Sequence, residues 1–187
     1  MSETGERGEM DPRALIVAVE SLLFVSGEPA SVAELERTLD APKAAIQDAL
    51  RALAAECASR GVRVQEHGGR WQMVTAPEAA PYVEKFLGLN GATRLSAPAL
   101  DTLAIVAYQQ PVTRHQIEAV RGVDSSGVLN TLQARGLIEE VGRLETVGHP
   151  LLYGTTFEFL RHFGLTSLSD LPRIDVSQPQ DDVPANR

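Results

Sequence analysis

The chain contains one sequence pattern twice. In each copy an apolar segment with helical spacing is followed by a proline, a hydroxyl residue and a second segment of helical spacing. The proline and hydroxyl are Pro29 and Ser31 in the first copy, and Pro111 and Thr113 in the second. A hydroxyl at this position accepts hydrogen bonds from the first-turn amides and predicts a helix start. A repeat of this length predicts two similar domains rather than a solenoid.

Each copy ends in a pattern that predicts a β-hairpin. In the first, two alternating runs flank Gly68 and Gly69, a strong hairpin signal. In the second, strands are predicted over residues 137–141 and 151–153, with a looser loop between them. Residues 95–143 therefore read helix, turn, helix, helix, strand, the order of a winged helix-turn-helix. The predicted fold class is mainly α with small β-wings (α+β), as two tandem winged-helix domains.

Composition and apolar pattern set the predicted domain boundaries. The N-terminal winged-helix domain is predicted over residues 12–87 and the C-terminal one over residues 95–172, joined by a glycine-containing linker, residues 88–94. Residues 1–11 form a polar leader and residues 173–187 an acidic tail. Both have little apolar surface to bury, so both are predicted to be disordered.

Charge and cysteine content restrict the protein class. The net charge is −8, which disfavours a protein whose main task is binding nucleic-acid phosphates. The single cysteine, Cys57, excludes an intrachain disulfide and fits a reducing compartment. The apolar run over residues 14–25 contains Glu20 and is too short to span a bilayer. We therefore expect a cytoplasmic protein without membrane association.

No catalytic, cofactor-binding or metal-ligating residues are assigned. The four histidines fall in different predicted elements without metal-ligand spacing, and His67 and His115 are predicted to be solvated. Asp40 is predicted to cap the third helix. We expect no cofactor and no enzymatic activity.

The first helix of each copy has more apolar surface than a small core needs. In the second copy the predicted core stripe is Leu100, Leu103, Ala104 and Ala107. This leaves Ile105 and Tyr108 on another face, and Val17 and Phe24 are similarly surplus in the first copy. Either terminal segments of the chain or protein partners could cover these residues. We favour partners, with one surplus face forming a homodimer and the other receiving an apolar helix.

A DNA-binding transcriptional regulator is the alternative that a winged helix raises. The third helix of the second copy would present polar residues, namely Ser125, Ser126, Asn130 and Gln133. Asn and Gln can hydrogen-bond adenine edges. The nearby cations are Arg114, Arg121 and Arg135, and the acids Asp124, Glu139 and Glu140 flank the same surface. Without a basic field, positioning on phosphates would be weak.

Several stretches resemble one protein family. They are LSAPALDTLAIVAYQQPVTRHQIEAVRGVDSSGVLNTL, GLIEEVGR, GHPLLYGTTFEFLRHFGLTSLSDLP, VESLLFVSGEP and GGRWQMVT. Together they resemble segregation and condensation protein B (ScpB), an accessory subunit of the bacterial SMC–kleisin condensin, over roughly residues 13–171. The chain departs from the usual family residues at Gly148-His149-Pro150 and at Asp124-Ser125-Ser126.

The resemblance implies a non-enzymatic subunit that supports chromosome condensation and segregation. It implies dimerisation through the N-terminal domain, binding of the kleisin ScpA and, through it, of an SMC ATPase. DNA association would then be indirect. The surface assigned to the kleisin comprises Tyr108, Gln109, Gln110, Pro111, Arg114 and Arg121. The residues assigned to the dimer interface are Val17 and Phe24.

Overall fold

The computed structural model describes residues 10–88 and 94–173, which form two tandem winged-helix domains as predicted. The predicted leader, tail and linker lie largely outside the described residues. None of the helices within the described ranges is long and apolar enough to cross a bilayer.

The N-terminal domain combines four helices with a three-stranded antiparallel sheet. Its elements are α1 (Pro12–Val25), β1 (Ala30–Ser31), α2 (Val32–Leu39), α3 (Lys43–Cys57), β2 (Val62–His67), β3 (Arg70–Thr75), a 3₁₀ turn (Pro77–Ala79) and α4 (Ala80–Leu87). The strand order is β1-β3-β2. Gly68 and Gly69 have φ of 58° and 75°, the left-handed region that the tight turn of this hairpin requires.

The core of this domain lies between α1 and α3. Leu15, Val19 and Leu23 of α1 are buried at intervals of four residues, facing Ile46 and Leu50 of α3. Each buried aliphatic side chain contributes about 1.5–3 kcal/mol relative to exposure. The four-residue interval selects one face of α1 and leaves the opposite face to solvent.

Two sequence predictions about helix caps have different outcomes. Ser31 caps α2 in a capping box, because its hydroxyl accepts from the Glu34 amide while the Glu34 carboxylate accepts from the Ser31 amide. The prediction that Asp40 caps α3 is wrong. Asp40 instead ends α2 with φ of 48°, a conformation that Asp tolerates, and Pro42 occupies the cap position of α3 without a side-chain bond.

The C-terminal domain repeats this architecture. Its elements are α5 (Ala97–Gln109), β4 (Val112–Thr113), α6 (Arg114–Arg121), α7 (Ser126–Ala134), β5 (Ile138–Arg143), β6 (Leu151–Thr155), α8 (Phe157–Phe163) and a 3₁₀ turn (Leu168–Asp170). The strand order β4-β6-β5 matches that of the first sheet. Thr113 caps α6 in a second capping box with Gln116. The outer strand β5 is exposed from Glu139 onward.

The buried face of α5 differs from the predicted stripe. Leu103 and Ala107 are buried as predicted, but Leu100 and Ala104 are exposed. The helix packs against α7 and β6 and therefore turns Thr102 into the core instead. The Thr102 hydroxyl donates to the Pro98 carbonyl at 2.8 Å, which allows a polar residue to be buried there.

The two domains contact each other along β2. The chain after α8 lies beside this strand, and His67 at its end bonds through Nε2 to the carbonyl oxygen of Thr155. The prediction that His67 is solvated is therefore wrong. Its position at the end of a hairpin strand gave no indication that a second domain would cover it.

Candidate partner-binding surfaces

One face of α1 is exposed along its whole length. Ala14, Val17, Ser21 and Phe24 follow one another at intervals of three and four residues, so they form one stripe. Phe24 is 81% exposed although it is a large apolar side chain. Val17 and Phe24 are therefore not part of the core. Their place in a dimer interface stays a prediction.

A second exposed apolar surface lies on α4, and the sequence reasoning missed it. No residue of this helix is buried, and Phe86 is 89% exposed. Tyr82 lies four residues earlier on the same face and is also exposed. An aromatic pair at this spacing on a short helix was the available signal.

The C-terminal domain carries an apolar groove of about 450 Å³. Helices α5 and α8 form its sides, and the chain after the last 3₁₀ turn closes one end. Its apolar and aromatic lining includes Leu100, Leu103, Ala104, Tyr108, Phe159, Phe163, Leu165, Leu171 and Pro172. Leu100 and Ala104, predicted to be core residues, are therefore part of a surface groove.

Tyr108 lies at the edge of this groove. Its ring is 40% exposed, and its hydroxyl donates to the carbonyl oxygen of Pro172 at 2.8 Å. Phe163 is exposed beside it, with its ring centroid 5.0 Å from that of Phe159. Phe159 and Leu160, rather than Phe163, are the residues of α8 that enter the core.

Gln110 is bonded within the domain rather than presented to a partner. Its Oε1 accepts from the backbone amide of Thr155 at 2.8 Å and from the Thr155 hydroxyl at 3.1 Å. Its Nε2 donates to the carbonyl oxygen of Ala107 at 3.1 Å. Its neighbours Gln109 and Pro111 are exposed on the same turn. Gln110 therefore holds the turn to β6, while Gln109 and Pro111 are available for contact.

Arg114 and Arg121 belong to a separate cluster at the junction of α6 and α7. Arg114 pairs with Glu118 at 3.5 Å, and Arg121 donates to the Ser125 hydroxyl at 2.8 Å. Glu118 also accepts from the backbone amide of Ser125 at 3.2 Å. Both arginines are thus engaged with the protein itself. The six predicted kleisin residues therefore lie in three places. Tyr108 is at the groove edge, residues 109–111 form the turn, and Arg114 and Arg121 belong to this cluster.

The electrostatics of α7 oppose insertion into a DNA groove. Hydrogen bonds from the side chain and backbone of Ser126 hold the pKa of Asp124 below its ordinary value, which keeps a carboxylate beside the start of the helix. At the other end, Gln133 donates to Glu140 at 3.4 Å. Arg121 and Arg135 lie near the same two ends, so these carboxylates offset the cations that a reading helix would need for phosphates.

A metal centre is not formed by the described residues. Within residues 10–88 and 94–173, no group of three or more His, Cys, Asp or Glu side chains could hold an ion. Burial raises the pKa of the Cys57 thiol, which lies fully inside the N-terminal core.

The solved structures similar to this chain include two of ScpB. The crystal structure of ScpB from Mycobacterium tuberculosis is 39% identical, covers 84% of this chain and 99% of that chain, and has a TM-score of 0.41. A dimer of an ScpB N-terminal domain complexed with ScpA peptide is 27% identical, covers 40% of this chain and 95% of that chain, and has a TM-score of 0.38.

Sequence comparison gives a family. Segregation and condensation protein B of Desulforamulus reducens is 46% identical over 84% of this chain and 88% of its own length. The protein of the same name from Geobacillus kaustophilus is 43% identical over 91% of this chain and 80% of its own length. The family model described as segregation and condensation complex subunit ScpB matches residues 17–174. The chain belongs to the ScpB family.

Proposed function

We propose that this protein is a non-enzymatic, homodimeric subunit of the bacterial condensin-like SMC complex. It binds the kleisin ScpA and, through ScpA, joins the SMC ATPase to support chromosome condensation and segregation. It acts in the cytoplasm and is associated with the nucleoid only through the complex. Membership of a family named as a complex subunit supports this proposal.

The groove between α5 and α8 is the observation that carries the proposal. Its lining is mostly apolar and aromatic, with Asp101 as a charged member, and the groove is open to solvent among the described residues. An amphipathic helix places its apolar face in such a groove and keeps its polar face in water. We assign the groove to an apolar helical segment of ScpA, with Tyr108 and Phe163 as its aromatic anchors.

Exposed residues next to the groove extend the proposed kleisin surface. Gln109 and Pro111 follow Tyr108 directly and are exposed. Arg114 belongs to the separate cluster on α6 rather than to the groove edge, and we include it because its side chain stays 58% exposed despite its pairing with Glu118. Gln110 and Arg121 act on this surface indirectly, because their side chains fix the turn and the α6–α7 junction.

Calorimetric titration of purified ScpA into the full chain tests this assignment. Replacing Tyr108 and Phe163 together by alanine removes both anchors, and we expect the affinity to fall by at least about 30-fold, the loss typical of hot-spot residues. The matched control replaces Tyr82 and Phe86 of α4 by alanine, which removes an equally exposed aromatic pair elsewhere. Unchanged affinity in a folded Tyr108/Phe163 variant would overturn the groove assignment.

A gel shift at low salt tests the alternative function. A subunit that reaches DNA through its complex gives no sequence-selective band with genomic fragments. A selective complex that is lost on Asn130→Ala, an exposed position of α7, would instead identify a DNA-reading helix.

A further inference from the structure

The outer edge of β2 is occupied by the C-terminal domain. The strand order leaves β2 with one edge that no strand of its own sheet covers. At this edge the Glu66 backbone amide donates to the carbonyl oxygen of Thr166 at 2.8 Å. Since successive amides of a strand point to opposite edges, the Glu66 amide points away from β3. Without the C-terminal domain it would face solvent.

Gln65 makes one side-chain hydrogen bond within its own hairpin and one to the other domain. Its side chain is 2% exposed, and its Oε1 accepts from Nε2 of Gln72 at 3.0 Å. The amide nitrogen of the same side chain, Nε2, donates to the carbonyl oxygen of Leu165 at 2.7 Å. A buried amide needs its hydrogen bonds, so the loss of Leu165 would leave Gln65 with an unpaired donor.

His67 makes the third contact. A carbonyl oxygen can only accept, so the bond to Thr155 requires the proton on Nε2 of His67. The ring also packs edge-on against Phe157, with centroids 5.5 Å apart. Among the described residues, Nδ1 of His67 is buried without a hydrogen-bond partner. The contact is therefore specific in geometry, because it fixes both the Nε2 proton and the orientation of the ring.

Close packing next to these bonds extends the contact. Gly164 has φ of 68°, and a Cβ built there would lie 3.0 Å from Cγ of Pro77. The turn after α8 thus reaches the 3₁₀ turn of the N-terminal domain. Residues 164–166 therefore contact the N-terminal domain both by packing, at Gly164, and by hydrogen bonds, at Leu165 and Thr166.

We propose that Gln65 and His67 are positioning residues of an interdomain latch. They hold the segment after α8 against the edge of β2, so that the free protein has one closed arrangement of its two domains. The latch fixes the direction of the exposed face of α1 relative to the groove on α5 and α8. It does not depend on the identity of the partner in that groove, and its test uses the protein alone.

Hydrogen exchange of the Glu66 amide in the full chain measures the latch. In the wild-type protein this amide is protected by Thr166. Replacing Gln65 by leucine and His67 by phenylalanine removes the two interdomain side-chain hydrogen bonds, together with the bond from Gln72 to Gln65, but keeps similar side-chain volumes. We expect exchange at Glu66 to accelerate at least about tenfold, while the backbone amides of Gln65 and Gln72, which face each other across the β2–β3 ladder, stay protected.

Tryptophan fluorescence provides a second measurement. Trp71 is the only tryptophan in the chain and lines a groove with Thr166 and Ser167 of the other domain. Opening of the latch exposes this groove, so acrylamide quenches the double variant more strongly than the wild type. If Gln65 and His67 only stabilised the hairpin, quenching of Trp71 would increase only together with loss of protection of the β2–β3 ladder amides.

The matched control is Gln72→Leu. This change removes the hydrogen bond from Gln72 to Gln65 within the hairpin, but it leaves the bonds from Gln65 to Leu165 and from His67 to Thr155 in place. We expect Glu66 protection to be retained in this variant. If the Glu66 amide of the wild-type protein exchanges as fast as an exposed backbone amide, the latch proposal is wrong. An equal effect of Gln72→Leu and the single variant Gln65→Leu would also overturn it. Both outcomes can be read even if the double variant does not fold.

Discussion

The hydroxyl of Tyr108 donates to the carbonyl oxygen of Pro172 at 2.8 Å, which joins residues separated by 64 positions. Tyr108 belongs to the helix that forms one side of the groove, and Pro172 belongs to the segment that closes its end. One side chain therefore both lines the proposed binding site and fixes its shape.

Tyr108→Phe separates these two roles. The ring remains in the groove, but the bond to Pro172 is lost. We expect the free energy of unfolding to fall by about 0.5–1 kcal/mol, because the bond is partly exposed to water. Urea denaturation measures the change, and Tyr82→Phe on the exposed face of α4 is the control. Equal losses in the two variants would show that the Pro172 bond contributes nothing.

Gln110→Ala is expected to destabilise the C-terminal domain by about 1–3 kcal/mol. The buried amide of Thr155 loses its acceptor, and an unsatisfied buried donor carries this cost. Gln109→Ala changes the adjacent exposed residue and should be nearly neutral. Thermal unfolding of both variants makes the comparison. A neutral Gln110→Ala would return its side chain to the list of direct partner contacts.

Gly154→Ala tests the packing of β6. A Cβ at this position would lie 2.8 Å from Cγ1 of Val141 and 3.1 Å from Oε1 of Gln110. We expect a loss of about 1–3 kcal/mol, the usual result of overpacking. Adding Val141→Ala removes the closest atom and should restore most of the stability in denaturant titrations. Absence of rescue would place the strain at Gln110 instead.

Phe24→Glu tests the predicted dimer interface on α1. The side chain is exposed in the single chain, so the change leaves the core intact but places a charge on the proposed interface. We expect the mass from light scattering to fall from dimer to monomer. Phe86→Glu is the control on α4. A monomeric Phe86→Glu with a dimeric Phe24→Glu would move the interface to α4.

The turn that follows α8 should lose stability in acid. Partial burial would raise the pKa of Asp170, but hydrogen bonds from Thr166 and Ser167 outweigh it and lower the pKa below the ordinary 3.8. The ionised group therefore stabilises the fold above its unfolded pKa, and this contribution disappears as the pH falls through the folded pKa. Urea titrations of wild type and Asp170→Asn should differ at pH 7 and converge in acid. A difference that persists in acid would contradict this origin.

Local chemistry allowed much of the fold to be predicted. Ser31 and Thr113 each have a side chain that satisfies first-turn amides, and Gly68-Gly69 has the backbone freedom of a tight turn. These signals act over a few residues and need no knowledge of distant contacts. They were sufficient to identify two winged helices.

The errors arose where tertiary contacts decide. Thr102 lies in the core because its hydroxyl donates to the Pro98 carbonyl, which offsets the free-energy cost of burying a polar group. Leu100 lies in the groove instead of the core. His67 became part of an interface through Thr155, a residue of the other domain. The candidate groove could be predicted only in part, because Phe163 and Pro172 reach Tyr108 through folding of the whole C-terminal domain.

The exposed edge strand β5 affects the tendency of this protein to self-associate. Open strand edges invite pairing with other chains, and carboxylates on the edge strand discourage it. Glu139 and Glu140 lie on this strand, so two such edges brought together would repel each other. The second wing thus resists strand-to-strand aggregation through charge, and the protein can reach a high local concentration without forming sheets between molecules.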